Sequence, residues 1–222
     1  MHFLCFHGIG TNSETFKQQT AAIRYELGDG HSYDFVDGTL PWEMDKALKE
    51  FMRSEEETFA YCNPTQPETC LTAVHHLDRY LEVEGPYDGV IGFSLGATFV
   101  LSWMINKAWE RKRDKSVELP FKVGIFFSNA GRLLDYSDQI AKSIVPFDPV
   151  AIDGLLDIPT AHIWGISDPD KENAQLAMQA CNEETRSVFI HDRGHEVPMS
   201  AENVISAAKV INRAIIRAQG FN

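Results

Sequence analysis

Short apolar runs alternate with longer amphipathic stretches along nearly all of this 222-residue chain. Few folds satisfy that pattern. The apolar runs occupy residues 3–6, 31–36, 87–93, 121–127, 160–164 and 187–191, each of strand length and bounded by turn residues. The stretches between them carry helical periodicity. Strands separated by helices pair in parallel, because a parallel connection needs a crossover of a dozen or more residues. The spacing therefore predicts an α/β fold with a mostly parallel six-stranded sheet and helices on both faces.

The helical segments are residues 13–27, 69–84, 95–113, 171–181 and 201–218. In the first, Ser13 is the expected N-cap, Phe16, Thr20, Ile23 and Leu27 share a face, and Gly28 and Gly30 end it. In the second, Leu71, Val74, Leu77 and Leu81 form the apolar stripe. The third is apolar on most of its surface, as expected of a helix packed deep in the fold. A single domain over residues 1–222 is expected, with no dividing linker. Residues 39–66 and 131–157 are long for plain connections. The first reads either as an insertion over an active site, carrying Trp42, Phe51 and Met52, or as a surface excursion with a short helix. The second reads as loop and short helix, a further candidate lid.

The run at 87–93 leads into Gly92-Phe93-Ser94-Leu95-Gly96. As a pentapeptide, Gly-x-Ser-x-Gly says little. Between a strand and a helix it has a mechanical meaning: the serine sits on a tight turn, and side chains at the two glycine positions would collide with the neighbouring strand and helix. A serine hydroxyl needs an adjacent base to act as nucleophile. His195 is the candidate among eight histidines, because it follows the last strand in a loop at the carboxyl edge of the sheet, where Ser94 also lies. His191 is its nearest rival, His162 falls within a strand, and His7 reads as structural. A carboxylate must hold the imidazole. Asp168, after the fifth strand, completes the order Ser94, Asp168, His195 of the α/β-hydrolase triad, with Asp170 as the competitor. The backbone N–H groups of Leu95 and of Ile9, in His7-Gly8-Ile9-Gly10, are the expected oxyanion donors. Phe93, Phe147 and Val197 are the expected substrate contacts. This chemistry calls for no metal and no organic cofactor.

The net charge of −12 and the lack of a basic footprint argue against nucleic acid. No apolar stretch reaches the length of a membrane span, and no secretory or lipidation signal is visible. The four cysteines, Cys5, Cys62, Cys70 and Cys181, lack metal-site spacing. Cys62 and Cys70 flank a loop and could approach each other, but they read as reduced thiols, so a cytoplasmic location is expected.

Four segments carry a resemblance: Phe6-His7-Gly8, Phe35-Val36-Asp37-Gly38, the stretch Gly85-Pro86-Tyr87-Asp88-Gly89 running on to Gly96, and Gly194-His195-Glu196-Val197-Pro198. Through them the chain resembles the fungal serine-hydrolase family that includes the lovastatin-pathway polyketide thioesterase. Family members more often carry Gln where this chain has Leu95, a difference that leaves a backbone contact untouched. The resemblance implies hydrolysis of a small-molecule ester or acyl thioester with a hydrophobic acyl group. It also implies a sharper version, polyketide release from an acyl carrier protein domain. A general short-chain carboxylesterase is the alternative, and a catalytically silent binding protein on the same scaffold is the other class.

Overall fold

The computed structural model describes residues 1–44, 56–63, 65–137 and 144–220. In chain order its strands are β1 (His2–Phe6), β2 (Ser32–Val36), β3 (Leu40–Pro41), β4 (Phe59–Ala60), β5 (Gly89–Phe93), β6 (Val123–Phe127), β7 (Leu134–Asp135), β8 (Val145–Pro146), β9 (Thr160–Gly165) and β10 (Arg186–His191). The helices are α1 (Ser13–Gln19), α2 (Ala21–Leu27), α3 (Pro67–Glu84), α4 (Leu95–Arg113), α5 (Lys171–Gln179) and α6 (Ala201–Ala218). All six anticipated runs join one sheet, in the order β10-β9-β6-β5-β1-β2. Every neighbouring pair in it is parallel.

Strand periodicity sorts the core into two layers. Phe3 and Cys5 point to one face, where Phe16, Ile23 and the stripe of α6 (Val204, Ala207, Ile211, Ala214) cover them. Leu4 and Phe6 point to the other, under Leu71, Val74 and Leu77 of α3 and the buried length of α4. Each large apolar side chain so buried stabilises the fold by about 1.5–3 kcal/mol relative to exposure.

From β1 the chain moves outward to β2, then returns to the opposite side of β1 with β5. The strand order thus reverses between β1 and β5. In open α/β sheets ligands bind in the crevice at such a reversal, beyond the carboxyl ends of the strands. The loop after β1 and the turn after β5 are the segments that hold Ile9 and Ser94.

Local details differ from the sequence expectations. The anticipated helix over 13–27 is two helices meeting at Thr20, whose hydroxyl donates to the Phe16 carbonyl at 2.9 Å. Asn12, not Ser13, is the N-cap: its Oδ1 accepts from the Thr15 N–H at 2.9 Å, while Ser13 donates to Asp37. In the 39–66 stretch, β3 pairs antiparallel with β4. Phe51 and Met52 lie outside the described residues.

Where it is described, the second insertion runs along α4. Its described residues hold the antiparallel pair of β7 with β8, and no helix. The cause lies in α4. Residues 96–106 of that helix are all buried, including Thr98, Ser102 and Asn106 on one stripe. Thr98 Oγ1 accepts from Gly131 N–H at 3.0 Å, Ser102 Oγ from Leu134 N–H at 3.0 Å, and Asn106 Oδ1 from Tyr136 N–H at 2.9 Å. Three polar side chains that would be costly in an apolar core are satisfied by pinning the insertion along the helix.

His162 is packed within β9 as expected, 2 % exposed, and its Nε2 shares a hydrogen bond with Thr160 Oγ1 at 3.1 Å. Burial, with the Arg186 charge, pushes its imidazole down to about 3. The unfolded chain therefore binds a proton below about pH 6.5 that the folded chain refuses, so this contribution to stability is present above that pH and is lost as pH falls. Lowering pH from about 7.5 to about 5 is expected to cost about 2 kcal/mol through this group. Urea unfolding at the two pH values should give a smaller difference, by about that amount, in His162→Phe.

Candidate active site

The turn after β5 is built as its sequence requires. Ser94 adopts φ 55°, ψ −124°, a left-handed backbone that a non-glycine residue takes only under constraint. Its N–H donates to Phe127 O at 3.0 Å, and its carbonyl accepts from Thr98 N–H at 3.1 Å. A Cβ on Gly92 would fall 2.6 Å from the Ala97 Cα, and one on Gly96 would fall 2.3 Å from the His7 carbonyl oxygen. The two glycines let α4 start directly against β5 and against the loop after β1.

His195 comes to Ser94 from the loop after β10. Its Nε2 lies 2.9 Å from Ser94 Oγ, and its Nδ1 lies 3.0 Å from both oxygens of Asp168. A carboxylate only accepts, so Nδ1 carries the proton and Nε2 is free to accept the Ser94 hydroxyl. The ring rests on Phe93, with centroids 5.3 Å apart. Asp168 is 1 % exposed. Burial pushes its carboxyl up, but the His195 hydrogen bond, the Asp170 N–H at 2.8 Å and the nearby imidazole outweigh it and hold Asp168 below the ordinary carboxylate range.

Asp170 Oδ1 accepts from Asn173 Nδ2 at 3.1 Å. The rival His191 is buried and accepts Arg193 N–H on Nδ1 at 3.3 Å. Ligand atoms of Asp168, Asp170 and His195 lie within 4.8 Å of one another, close enough for a metal ion. Both ring nitrogens of His195 are already engaged by Ser94 and Asp168, so a metal bound through that ring would displace one of them.

A feature that sequence reasoning missed sets the loop registers. Ile166 N–H donates to His191 O at 2.8 Å, and Ser167 N–H to Arg193 O at 3.0 Å. This crossing requires Gly165, where a Cβ would lie 2.1 Å from Arg193 O. The signal was a glycine closing the fifth apolar run, which reads as an ordinary strand end.

The loop after β1 is clamped from several sides. His7 is fully buried. Gly38 N–H donates to its Nε2 at 3.0 Å, so its Nδ1–H donates to Gly8 O at 2.7 Å. Burial keeps the imidazole below its ordinary pKa, although the Gly8 carbonyl and Asp37 oppose that shift. Gly10 N–H donates to Phe59 O, and Phe59 N–H to Thr11 O, so β4 also holds the loop. Among the described residues no acceptor is paired with the N–H of Ile9 or of Leu95.

Tyr61 carried no sequence signal. Its hydroxyl accepts the His7 N–H at 2.9 Å and donates to Val36 O at 2.8 Å. Its ring stacks on Phe99 at 5.5 Å and tilts against His7 at 4.7 Å. Tyr61→Phe is expected to leave a buried N–H unpaired and loosen the loop. A loss of about tenfold to a hundredfold in kcat is expected, since sub-ångström placement of such groups governs rate. Steady-state hydrolysis of a short ester, beside a melting curve, measures it.

Of the anticipated substrate contacts, Phe93 is beneath His195 and 6 % exposed. Val197 is buried in the layer under α6. Phe147 is buried. It packs on Trp109, which lies about 21 Å along α4 from Leu95 at about 1.5 Å per residue. It belongs to the core layer that includes α4. All four cysteines are free and buried, Cys62 and Cys70 included. No helix among the described residues is long and apolar enough to cross a membrane.

Comparison with known proteins agrees with this geometry. The FSH1 serine hydrolase family matches residues 1–207. Esterase FPY3 of Fusarium mangiferae is 33 % identical over 98 % of this chain and 98 % of its own length. Hydrolase phiM, from a fungal species, is 27 % identical over 89 % of this chain and 86 % of its own. Among solved structures, a carboxylesterase from Mesorhizobium loti superposes with a TM-score of 0.59 at 13 % identity, covering 95 % of this chain and 88 % of that one. A Bacillus cereus carboxylesterase gives 0.54 at 14 % identity, covering 96 % and 87 %. The last two likenesses speak to the α/β-hydrolase fold alone. With a family match over nearly its whole length and an esterase-named relative matched end to end, this chain is an enzyme and belongs to the FSH1 serine hydrolase family.

Proposed function

We propose that Ser94, His195 and Asp168 hydrolyse an ester or thioester of a hydrophobic acyl group through an acyl-enzyme. The supporting observation is the continuous hydrogen-bonded chain from Ser94 Oγ through His195 to Asp168. Ser94 Oγ attacks the acyl carbonyl carbon while His195 Nε2 takes its proton. The oxygen that gains charge sits between the N–H groups of Ile9 and Leu95. His195 then protonates the leaving alcohol or thiol as its bond to carbon breaks. Water adds to the acyl-enzyme, giving its proton to His195, and the acid departs as Ser94 recovers its hydrogen. Asp168 stays ionised throughout and stabilises the imidazolium.

The sharper reading is release of a polyketide-type acyl chain from the thioester of an acyl carrier protein domain, in the cytoplasm, where four buried thiols stay reduced. Its support is the family resemblance. The net charge of −12 means that an acidic carrier would need a local basic patch to dock. Acyl-N-acetylcysteamine thioesters compared with matched ethyl esters decide between this reading and a general carboxylesterase. A kcat/KM at least about tenfold higher on the thioesters supports release from a carrier; equal or ester-favouring values support the carboxylesterase. Turnover of neither class overturns the acyl-hydrolase reading.

A further inference from the structure

The described structure contains an apolar cavity of about 270 Å³ on the α3 face of the sheet. Leu4, Phe6, Val36, Ala73, Leu77 and Phe99 form its apolar walls. We propose that this cavity receives the hydrocarbon tail of the acyl group whose carbonyl is attacked by Ser94. The inference rests on the acyl-enzyme reading above and names its substrate as a medium-length alkyl chain.

Position is the first argument. Phe6 and Val36 are the last residues of β1 and β2, so the cavity reaches the carboxyl edge of the sheet on which Ser94 sits. Phe6 pairs with Gly92, and Val36 with Phe6. At about 4.8 Å per strand, those two walls lie about 5 Å and about 10 Å to the side of the residue two before Ser94. Phe99 lies about 7.5 Å down α4 from Ser94. Ser94 itself is not in the lining. A tail reaching the cavity would leave the acyl carbonyl and cross the end of β1, beside the loop that carries Ile9.

Chemistry is the second argument. Among the described residues no lysine or arginine lines the cavity, and its one imidazole, His76, is exposed at the rim, so nothing inside would hold an anionic head group. Its one carboxylate, Asp37, already accepts from the N–H and hydroxyl of Ser13 at 2.6 and 3.0 Å. The Tyr61 hydroxyl is likewise committed to His7 and Val36, leaving its ring as wall. The Tyr80 hydroxyl accepts from Tyr87 at 3.4 Å and Thr39 is exposed, so the remaining wall suits uncharged hydrocarbon. At roughly 30 Å³ per water-sized group, the space takes on the order of nine such groups, the bulk of an octanoyl to decanoyl chain.

The test reads the ratio of kcat/KM on p-nitrophenyl octanoate to that on p-nitrophenyl acetate. Each buried methylene is worth about fourfold. Ala73→Trp fills the cavity from α3. Thr39→Trp narrows it at an exposed rim position, where the fold has little to lose. Each is expected to lower the ratio by about tenfold or more. An unchanged ratio in either folded variant, or a parallel fall on both esters, overturns the proposal. Ser94→Ala separates the two levels. If it is inactive while the ratio ignores both tryptophans, only the cavity assignment fails; if it keeps turnover, the acyl-enzyme reading itself fails.

Discussion

Ser94→Ala is expected to lower kcat on an ester substrate by about 10⁴- to 10⁶-fold, with a melting temperature close to that of the parent. The activity falls because the hydroxyl whose proton His195 Nε2 takes, Ser94 Oγ at 2.9 Å, is gone. The fold persists because alanine keeps the Cβ that the turn already accommodates at φ 55° and keeps the N–H that donates to Phe127. His195→Ala should cost a similar factor. The double variant should be little worse than either single one, since serine and base act as one unit. Residual turnover above water would come from the N–H groups of Ile9 and Leu95 and from substrate binding. Pre-steady-state and steady-state rates on one ester measure all of this.

Asp168→Asn is expected to cost about 10⁴-fold in kcat near neutral pH while leaving the loops in place. The reason lies in the donors around the carboxylate. The Asp170 N–H points at Oδ1 and can only donate, so in the variant it holds the carboxamide oxygen at that position and turns the NH₂ group to His195. Where Nδ1 accepts from that NH₂, the imidazole proton moves to Nε2, the atom that should receive the Ser94 proton; where Nδ1–H keeps to the carboxamide oxygen, also 3.0 Å away, the imidazolium loses its counter-charge. The nucleophile loses its base although every heavy atom stays near its place. A kcat that falls by less than about a hundredfold would mean that Asp168 does not fix the tautomer.

The fold was legible because the sheet is buried on both faces. The continuous apolar runs in β5 and β6 and the long apolar helix α4 leave no alternative to a deep central layer. The small strands were not legible. β7 exists because Ser102 and Asn106 present hydrogen-bonding atoms to passing backbone, which no local pattern announces. The packing of Phe147 was not legible for a related reason: a buried aromatic in a long insertion has the same sequence signature whether it lines a pocket or fills the space beside Trp109.

The candidate site was legible where chemistry restricts residue type and order, at Ser94, Asp168 and His195. Asp168 and Asp170 are separated in sequence only by Pro169, and spacing could only rank them. The structure distinguishes them through the backbone bonds between the two loops and the close crossing at Gly165. Tyr61 was invisible because its part is played by one hydroxyl between two distant backbone groups, His7 N–H and Val36 O. Such a role depends wholly on tertiary placement.

Acylation of Ser94 during turnover is the step on which the proposed mechanism depends. Acid quenching of the enzyme with p-nitrophenyl octanoate, followed by peptide mass mapping, tests it directly. One octanoyl group is expected on the peptide that contains Ser94, formed within the burst of p-nitrophenol and absent from Ser94→Ala. Turnover at the parent rate by Ser94→Ala, or an acyl group found only on another residue, would contradict it.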